Sequence, residues 1–327
     1  MDEVRARVVT QEKRLYTIKY GDISNIAEVS GKFRHEANSV SDYPAVGDYV
    51  TASWPTDGSH SVITGVYPRK SVFIRKAAGT GRVEQVIAAN IDTVFICMSL
   101  NQDFNLRRLE RYMTIAWDSG AMPVVVLTKA DLCENPDAMV MKVSEVAAGA
   151  DIVVTSSKMQ DIEKLAGLIK SGKTYAFIGS SGVGKSTLIN LLLGDEALKT
   201  SEIRESDDKG RHTTTHRELI ELKNGAYVID TPGMRELGLW NNEEGMETAF
   251  SDIEELIRGC KFSNCTHVNE PGCKIREALA NGTLDESRWK SYQKLLTENA
   301  YNGNESDYLS AKKAKFKQIA KINRQKK

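Results

Sequence analysis

Two textures divide the chain. Up to about residue 72 the hydrophobic positions fall in short, partly alternating runs: Ala6–Thr10 (ARVVT), Arg14–Tyr20 (RLYTIKY), Ile26–Ser30 (IAEVS), Gly47–Trp54 (GDYVTASW) and His60–Tyr67 (HSVITGVY). Gly, Asp, Ser and Pro separate them. Period-two alternation marks strands with one buried face. Strands at this spacing predict a small β-barrel over residues 1–72, with an oligonucleotide-binding (OB) type and an SH3-like type both open.

Near Val86 the pattern changes. Ile91–Leu100 (IDTVFICMSL) is a continuous apolar strand. The following NLRRLERYMTIAWDSG places Leu106, Leu109, Met113 and Ala116/Trp117 on one helical face and ends at Gly120. MPVVVLTKAD, DIVVTSS, KTYAFIG and AYVIDTPG supply further apolar strands, with a helix over DIEKLAGLIKSG. Apolar strands alternating with helices predict a parallel sheet covered on both faces, an α/β domain over residues 73–240. From about Glu243 the spacing is helical, in METAFSDIEELIRG, KIREALANG and ESRWKSYQKLLTENAY, which makes 241–327 a third, helical domain.

With 327 residues the chain is too long for one core. Its 41% hydrophobic and 27% charged composition is ordinary, and no apolar run reaches the roughly 18 residues of a membrane span. The charged N-terminus (MDEVRARVVTQEK) has no apolar signal core, so a cytoplasmic protein is expected. Formal net charge is zero but unevenly placed. The tail Ala311–Lys327 carries eight Lys or Arg and no acid, which leaves 36 bases against 44 acids, or −8, on the rest. A basic tail on an acidic body suggests a polyanionic partner.

Candidate chemistry lies in the loops after the strands. Gly179-Ser180-Ser181-Gly182-Val183-Gly184-Lys185-Ser186-Thr187 has the P-loop spacing between a strand and a helix. Its glycines let backbone N–H groups point at phosphate, and the helix N-terminus adds its positive end. Lys185 is expected at the β/γ-phosphates and Ser186 at Mg²⁺. Asp230 and Gly233, in DTPG, follow another apolar strand and suit a magnesium-holding acid and a γ-phosphate amide.

Thr128-Lys129-Ala130-Asp131 has the form of a guanine reader. One carboxylate accepts from N1–H and the exocyclic amine, donors that adenine does not present there. Thr128 stands where the common N-K-x-D pattern has Asn. Ser156 and Ser157, in Thr155–Lys158 (TSSK), resemble the second base loop. The polar segment DDKGRHTTTHREL holds Thr213, Thr214 and Thr215, of which Thr214 is the expected switch ligand to Mg²⁺. Met234 follows DTPG where many GTPases place a water-orienting Gln, which leaves His212 as the candidate for that role.

Cys260-x4-Cys265-x-His267-x5-Cys273 is a complete Cys₃His set for a closed, structural zinc site. A loop-rich module of this size would be held together by its metal. Cys97 lies in an apolar strand and reads as core, and Cys133 has no ligand near it in sequence.

The base reader (128–131) thus precedes the P-loop (179–186), which precedes DTPG (230–233). This is a circular permutation of the ordinary GTPase order, tolerated because the termini of α/β domains lie at the surface. The sheet ends soon after Gly233, so switch motion is expected to act directly on the C-terminal domain. Permuted order, a barrel-like N-terminus, GRHTTT, DTPG and the Cys/His cluster together resemble the RsgA (YjeQ) family of ribosome-dependent GTPases over essentially the whole chain. The resemblance implies an OB domain, a permuted GTPase domain and a zinc domain, with GTP/GDP, Mg²⁺ and Zn²⁺ as ligands. It also implies late maturation of the small (30S) ribosomal subunit as the role, with that subunit and its rRNA as partners. A monomer away from membranes is expected. Two other readings stay open: a GTP-dependent RNA-binding scaffold with incidental hydrolysis, and an ATPase or small-molecule kinase on the same P-loop.

Overall fold

In the computed structural model, residues 2–12, 14–76, 84–156, 159–193, 218–230 and 243–303 are described. The chain divides into two units, Met1–Gly238 and Leu239–Lys327.

The first unit opens with five strands: β1 (Asp2–Glu12), β2 (Leu15–Tyr20), β3 (Ile23–Val29), β4 (Tyr49–Trp54) and β5 (Ser61–Val66). They pair in the order β1-β2-β3-β5-β4, and β1 also pairs with β4, which closes a barrel. Closure depends on β1 serving two partners. Asp2–Arg7 pairs with β4, the residues from Arg7 onward pair with β2, and a register shift at Val8/Thr10 bends the strand between them. A short helix α1 (Gly31–Glu36) joins β3 to β4, and Ser30 Oγ caps it by accepting from Phe33 N at 3.0 Å. Strand order and helix position are those of an OB-type barrel rather than an SH3-like one. The inward residues Ala6, Val8, Tyr16, Ile18, Ala27, Val29, Val50, Ala52 and Ile63 form its core, at the period-two positions that the sequence pattern marks.

The strands β6 (Val72–Lys76) and β7 (Glu84–Ala89) form an antiparallel pair of their own, which the sequence pattern did not predict. The run SVFIRK is too short, and too uniformly apolar at its start, to declare an alternation. Beyond it come β8 (Thr93–Ser99), α2 (Leu106–Asp118), β9 (Met122–Thr128), α3 (Pro136–Ser144), β10 (Asp151–Val154), α4 (Met159–Leu168), β11 (Thr174–Ile178), α5 (Lys185–Leu193), β12 (Glu218–Glu221) and β13 (Tyr227–Asp230). The order β10-β9-β8-β11-β13-β12 is parallel except for β12, which runs antiparallel to β13 and touches β1 at Thr10–Glu218.

Buried Phe95, Cys97, Val124, Val126, Phe177 and Val228 on the strands pack with Leu165 of α4 and Leu188 and Ile189 of α5. On α2, Leu109, Met113 and Ala116 are buried, as the helical spacing predicts. Cys97 is 1% exposed, as core, and burial pushes its thiol up to about 12. The parallel strands deliver their C-terminal ends, and the loops that follow, to one edge of the sheet, where α/β folds bind ligands.

The second unit holds α6 (Glu243–Ala249), α7 (Ser251–Arg258), α8 (Lys274–Asn281) and α9 (Glu286–Gly303). Phe250, Ile253, Ile275 and Ala278 are its buried contacts, with Trp289 and Tyr292 of α9 stacked at 5.6 Å. Arg288 donates to both Asp252 carboxylate oxygens, at 2.7 and 2.8 Å, fastening α9 to α7. Among the described residues no helix is long and apolar enough to cross a membrane.

Candidate nucleotide and metal sites

The loop between β11 and α5 has the backbone of a phosphate cradle. Gly179, Gly182 and Gly184 have φ of 143°, 75° and 98°, which side chains disfavour. At Gly179 a Cβ would also stand 2.4 Å from the Cys97 carbonyl oxygen, so only glycine lets β11 end so close to β8. Val183 is buried and anchors the loop from below, while Ser181, Ser186 and Thr187 are exposed. Lys185 Nζ donates to the carbonyls of Gly179 (2.8 Å) and Ser180 (2.6 Å), so the ammonium bends back over the loop. The amides that open α5 have no helical partner of their own and, with Lys185, make the loop an anion receptor.

The base-reading loop leans on this cradle. Thr128, at the end of β9 and 4% exposed, donates its hydroxyl to the Val183 carbonyl at 2.6 Å. Lys129 takes a left-handed conformation, φ 57°, which turns the chain into a short 3₁₀ turn (Ala130–Leu132) and leaves Asp131 exposed. Ala130 N donates to Thr155 O at 3.2 Å, and Thr155 N to Leu127 O at 2.8 Å. The loop carrying Ser156 is therefore bound to the loop carrying Asp131, because β10 pairs with β9 in the register Val154–Leu127. The pairing Ala176–Ile229 sets Asp230, the last residue of β13, beside the strand that feeds the P-loop.

One neighbour had no signal in the sequence. Arg108, in the first turn of α2, donates from Nη1 to Ser180 Oγ at 2.6 Å. Asn105 caps that helix by accepting from Arg108 N at 3.1 Å. Nothing in NLRRLE distinguishes this arginine from Arg107 beside it. Ser157, His212, Thr214 and Gly233, like the tail Ala311–Lys327, lie outside the described residues.

In the second unit the ligand atoms of Cys260, Cys265, His267 and Cys273 all lie within 4.8 Å of one another. His267 Nδ1 is 3.7 Å from Cys260 Sγ and 3.5 Å from Cys273 Sγ. Tetrahedral zinc, with bonds of about 2.0–2.3 Å, sets ligand separations of roughly 3.3–3.8 Å, so the donor set and the two His267 separations fit the metal. Desolvation raises the Cys260 thiol, but the Lys274 and Ile275 amides that open α8, together with the Cys265 and Cys273 thiols, hold the group below its ordinary value. His267 has φ 60°, and Gly272, φ 75°, turns the chain back to Cys273 where a Cβ would meet Lys261 Cβ at 3.0 Å.

Glu270, unnoticed in the sequence, organises the loop. Its carboxylate accepts from Thr266 Oγ1 (2.5 Å) and from the amides of Thr266 (3.0 Å), Val268 and Asn269 (both 3.1 Å). The Thr266 hydroxyl, then the backbone amides, hold it at about 2. His267 packs edge-on against Trp289 at 5.6 Å, which ties the cluster to α9.

The sequence model of the RsgA GTPase family matches residues 66–240. The chain is 47% identical over 312 residues to the small ribosomal subunit biogenesis GTPase RsgA 2 of Lactiplantibacillus plantarum, spanning 95% of this chain and 88% of that protein. The crystal structure of YjeQ from Thermotoga maritima superposes with a TM-score of 0.68 at 28% identity, covering 91% of this chain and 98% of that one. YloQ, described as a circularly permuted GTPase, superposes with a TM-score of 0.64 at 26% identity, covering 91% and 95%.

Proposed function

Because this chain belongs to the RsgA GTPase family, a family of GTP hydrolases, we propose that it hydrolyses GTP to GDP and phosphate during late maturation of the small ribosomal subunit, stimulated by that subunit. The observation that carries the nucleotide reading is the hydrogen bond from Thr128 Oγ1 to Val183 O, which joins the base reader and the phosphate cradle in one site. The partner comes from the name of the 47% identical relative.

In this reading the P-loop amides and Lys185 hold the β/γ-phosphates. Asp131 accepts from the guanine edge, Lys129 lays its stem on the base, and the Ser156–Ser157 backbone meets the guanine oxygen. Ser186, Asp230 and the switch residue Thr214 would hold Mg²⁺, which would supply positive charge at the phosphates. Lys185 and the amides at the start of α5 stabilise the same charge. Gly233 offers its amide to the γ-phosphate, and His212 orients the attacking water. Cys260, Cys265, His267 and Cys273 hold a structural Zn²⁺, which fixes the loop. The partner surface is rRNA, contacted by the OB barrel and by phosphate pairing of the basic tail. The protein acts as a cytoplasmic monomer.

Competition against a fluorescent GDP tests the nucleotide reading. GTP displaces the probe and ATP, at the same concentrations, does not. Equal displacement by ATP overturns the guanine assignment.

A further inference from the structure

Arg7 occupies the bend of β1, paired with Tyr49 on one side and Lys19 on the other. Its neighbours Ala6 and Val8 point into the barrel, so its own side chain leaves the barrel and reaches the start of β11. There it is 9% exposed. Nη2 donates to Thr174 Oγ1 at 2.5 Å, and the guanidinium carbon lies 5.0 Å from the Tyr49 ring centroid and 4.7 Å from that of Tyr227. Nε is buried without a hydrogen-bond partner. Arg7 makes no ion pair among the described residues. Asp92, nearby, gives its carboxylate to Lys173 Nζ and to the Thr174 amide, both at 2.9 Å.

A buried guanidinium without a carboxylate is costly. Two tyrosine faces offset part of that cost. Burial, the largest influence, lowers the Arg7 pKa from its ordinary value. The residue also borders a cavity of about 120 Å³, lined by Tyr49, Lys70, Asp92, Lys173 and Thr174 among others. One water needs about 10–15 Å³ of such space, so the four oxygens of a phosphate can enter. Among the lining residues Arg7, Lys70 and Lys173 are cationic and Asp92 anionic, a formal balance of +2. Lys70 and Lys173 are exposed while Arg7 is buried, which puts the guanidinium at the floor and the two ammonium groups at the rim.

We propose that this cavity, on the seam between the barrel and the parallel sheet, is a binding site for a phosphate group. The planar guanidinium suits a tetrahedral oxyanion, and the lysines draw one in from solvent. The site is distinct from the P-loop. Thr174 begins β11 and Gly179 follows its end, so the two lie roughly 16 Å apart at about 3.3 Å per residue. The phosphate comes either from an RNA backbone or from the free anion.

The test uses the full chain saturated with a non-hydrolysable GTP analogue and Mg²⁺, so that the β- and γ-phosphate positions of the P-loop are both filled, and titrates inorganic phosphate at constant ionic strength while thermal stability is followed. The wild type shows a saturable rise in Tm. Lys70→Glu, at an exposed position away from the nucleotide site, weakens that saturation about tenfold, the value of one charge-assisted hydrogen bond, and leaves GTP hydrolysis without phosphate unchanged. Arg7→Lys, which keeps the charge and loses the fork, weakens it as well; if that protein does not fold, Lys70→Glu carries the test. A short oligouridylate that competes with phosphate in the wild type identifies an RNA backbone as the source, and one that does not identifies the free anion. No saturable rise in the wild type, or the same rise in Lys70→Glu, overturns the proposal.

Discussion

The Thr128 hydroxyl donates to the Val183 carbonyl at 2.6 Å, across 55 residues of chain, and so braces the loop after β9 against the loop before α5. Strand pairing makes this contact possible. β9 and β11 flank β8, in the registers Phe95–Val124 and Phe95–Phe177, so their C-terminal loops emerge on either side of one strand. Which loop is translated first does not matter to that arrangement. The permuted order therefore leaves the site geometry intact, and a threonine supplies the brace where the common motif has asparagine.

Thr128→Val keeps the shape and removes the donor, leaving a buried carbonyl unpaired. The expected cost is about 1–2 kcal/mol in nucleotide binding, a weakening of about 5- to 30-fold. Titration with fluorescent GDP measures it. Unchanged affinity would show that the two loops hold their positions independently.

Asp131→Asn changes the exposed group assigned to the base. Losing two charge-assisted hydrogen bonds should weaken GTP by about 10²-fold or more. The new amide can donate to the C2 oxygen of xanthine, so xanthosine triphosphate should gain what GTP loses. Parallel losses for both nucleotides would contradict the assignment.

Gly179→Ala sets a Cβ against the Cys97 carbonyl, at 2.4 Å in the unshifted backbone, and at a φ of 143°. Either β11 retreats from β8 or the loop opens. A cost of about 2–3 kcal/mol is expected, a Tm lower by about 4–12 °C, with weaker nucleotide binding. Differential scanning calorimetry reads the first and GDP titration the second.

Much of this was legible in the sequence because it rests on local pattern. The run TVFICMS, short and rich in β-branched and aromatic residues, reads as a strand buried on both faces, and the alternation in RLYTIKY marks the barrel wall. The glycine spacing before Lys185 and the Cys₃His spacing each encode a ligand-binding loop in a few consecutive residues. What stayed hidden depends on contacts distant in sequence. Arg108 meets Ser180, and Arg7 meets Thr174, only after the sheet has assembled. Glu270 reads as one acid among many until its carboxylate gathers three amides and a hydroxyl. The helix α3 escaped notice because PDAMVMKVS buries Val143 alone, which gives no periodicity to read.

Zinc should be stoichiometric, one per chain, and structural. Chelation, or Cys265→Ser, should unfold the second unit and abolish the near-ultraviolet signal of Trp289, which packs on His267. GDP binding by the first unit should persist. Glu270→Ala should speed zinc loss to a chelator by about 10- to 100-fold without removing a ligand, because it releases the loop that orients His267. A chain that retains its fold and spectrum without metal would contradict the structural role.

GTP hydrolysis with and without purified small ribosomal subunits tests the central claim most directly, with ATP and large subunits as controls. The account predicts slow hydrolysis by the protein alone and strong stimulation confined to GTP with the small subunit. Tight GTP binding with no stimulation by the small subunit would contradict it and favour a GTP-dependent scaffold.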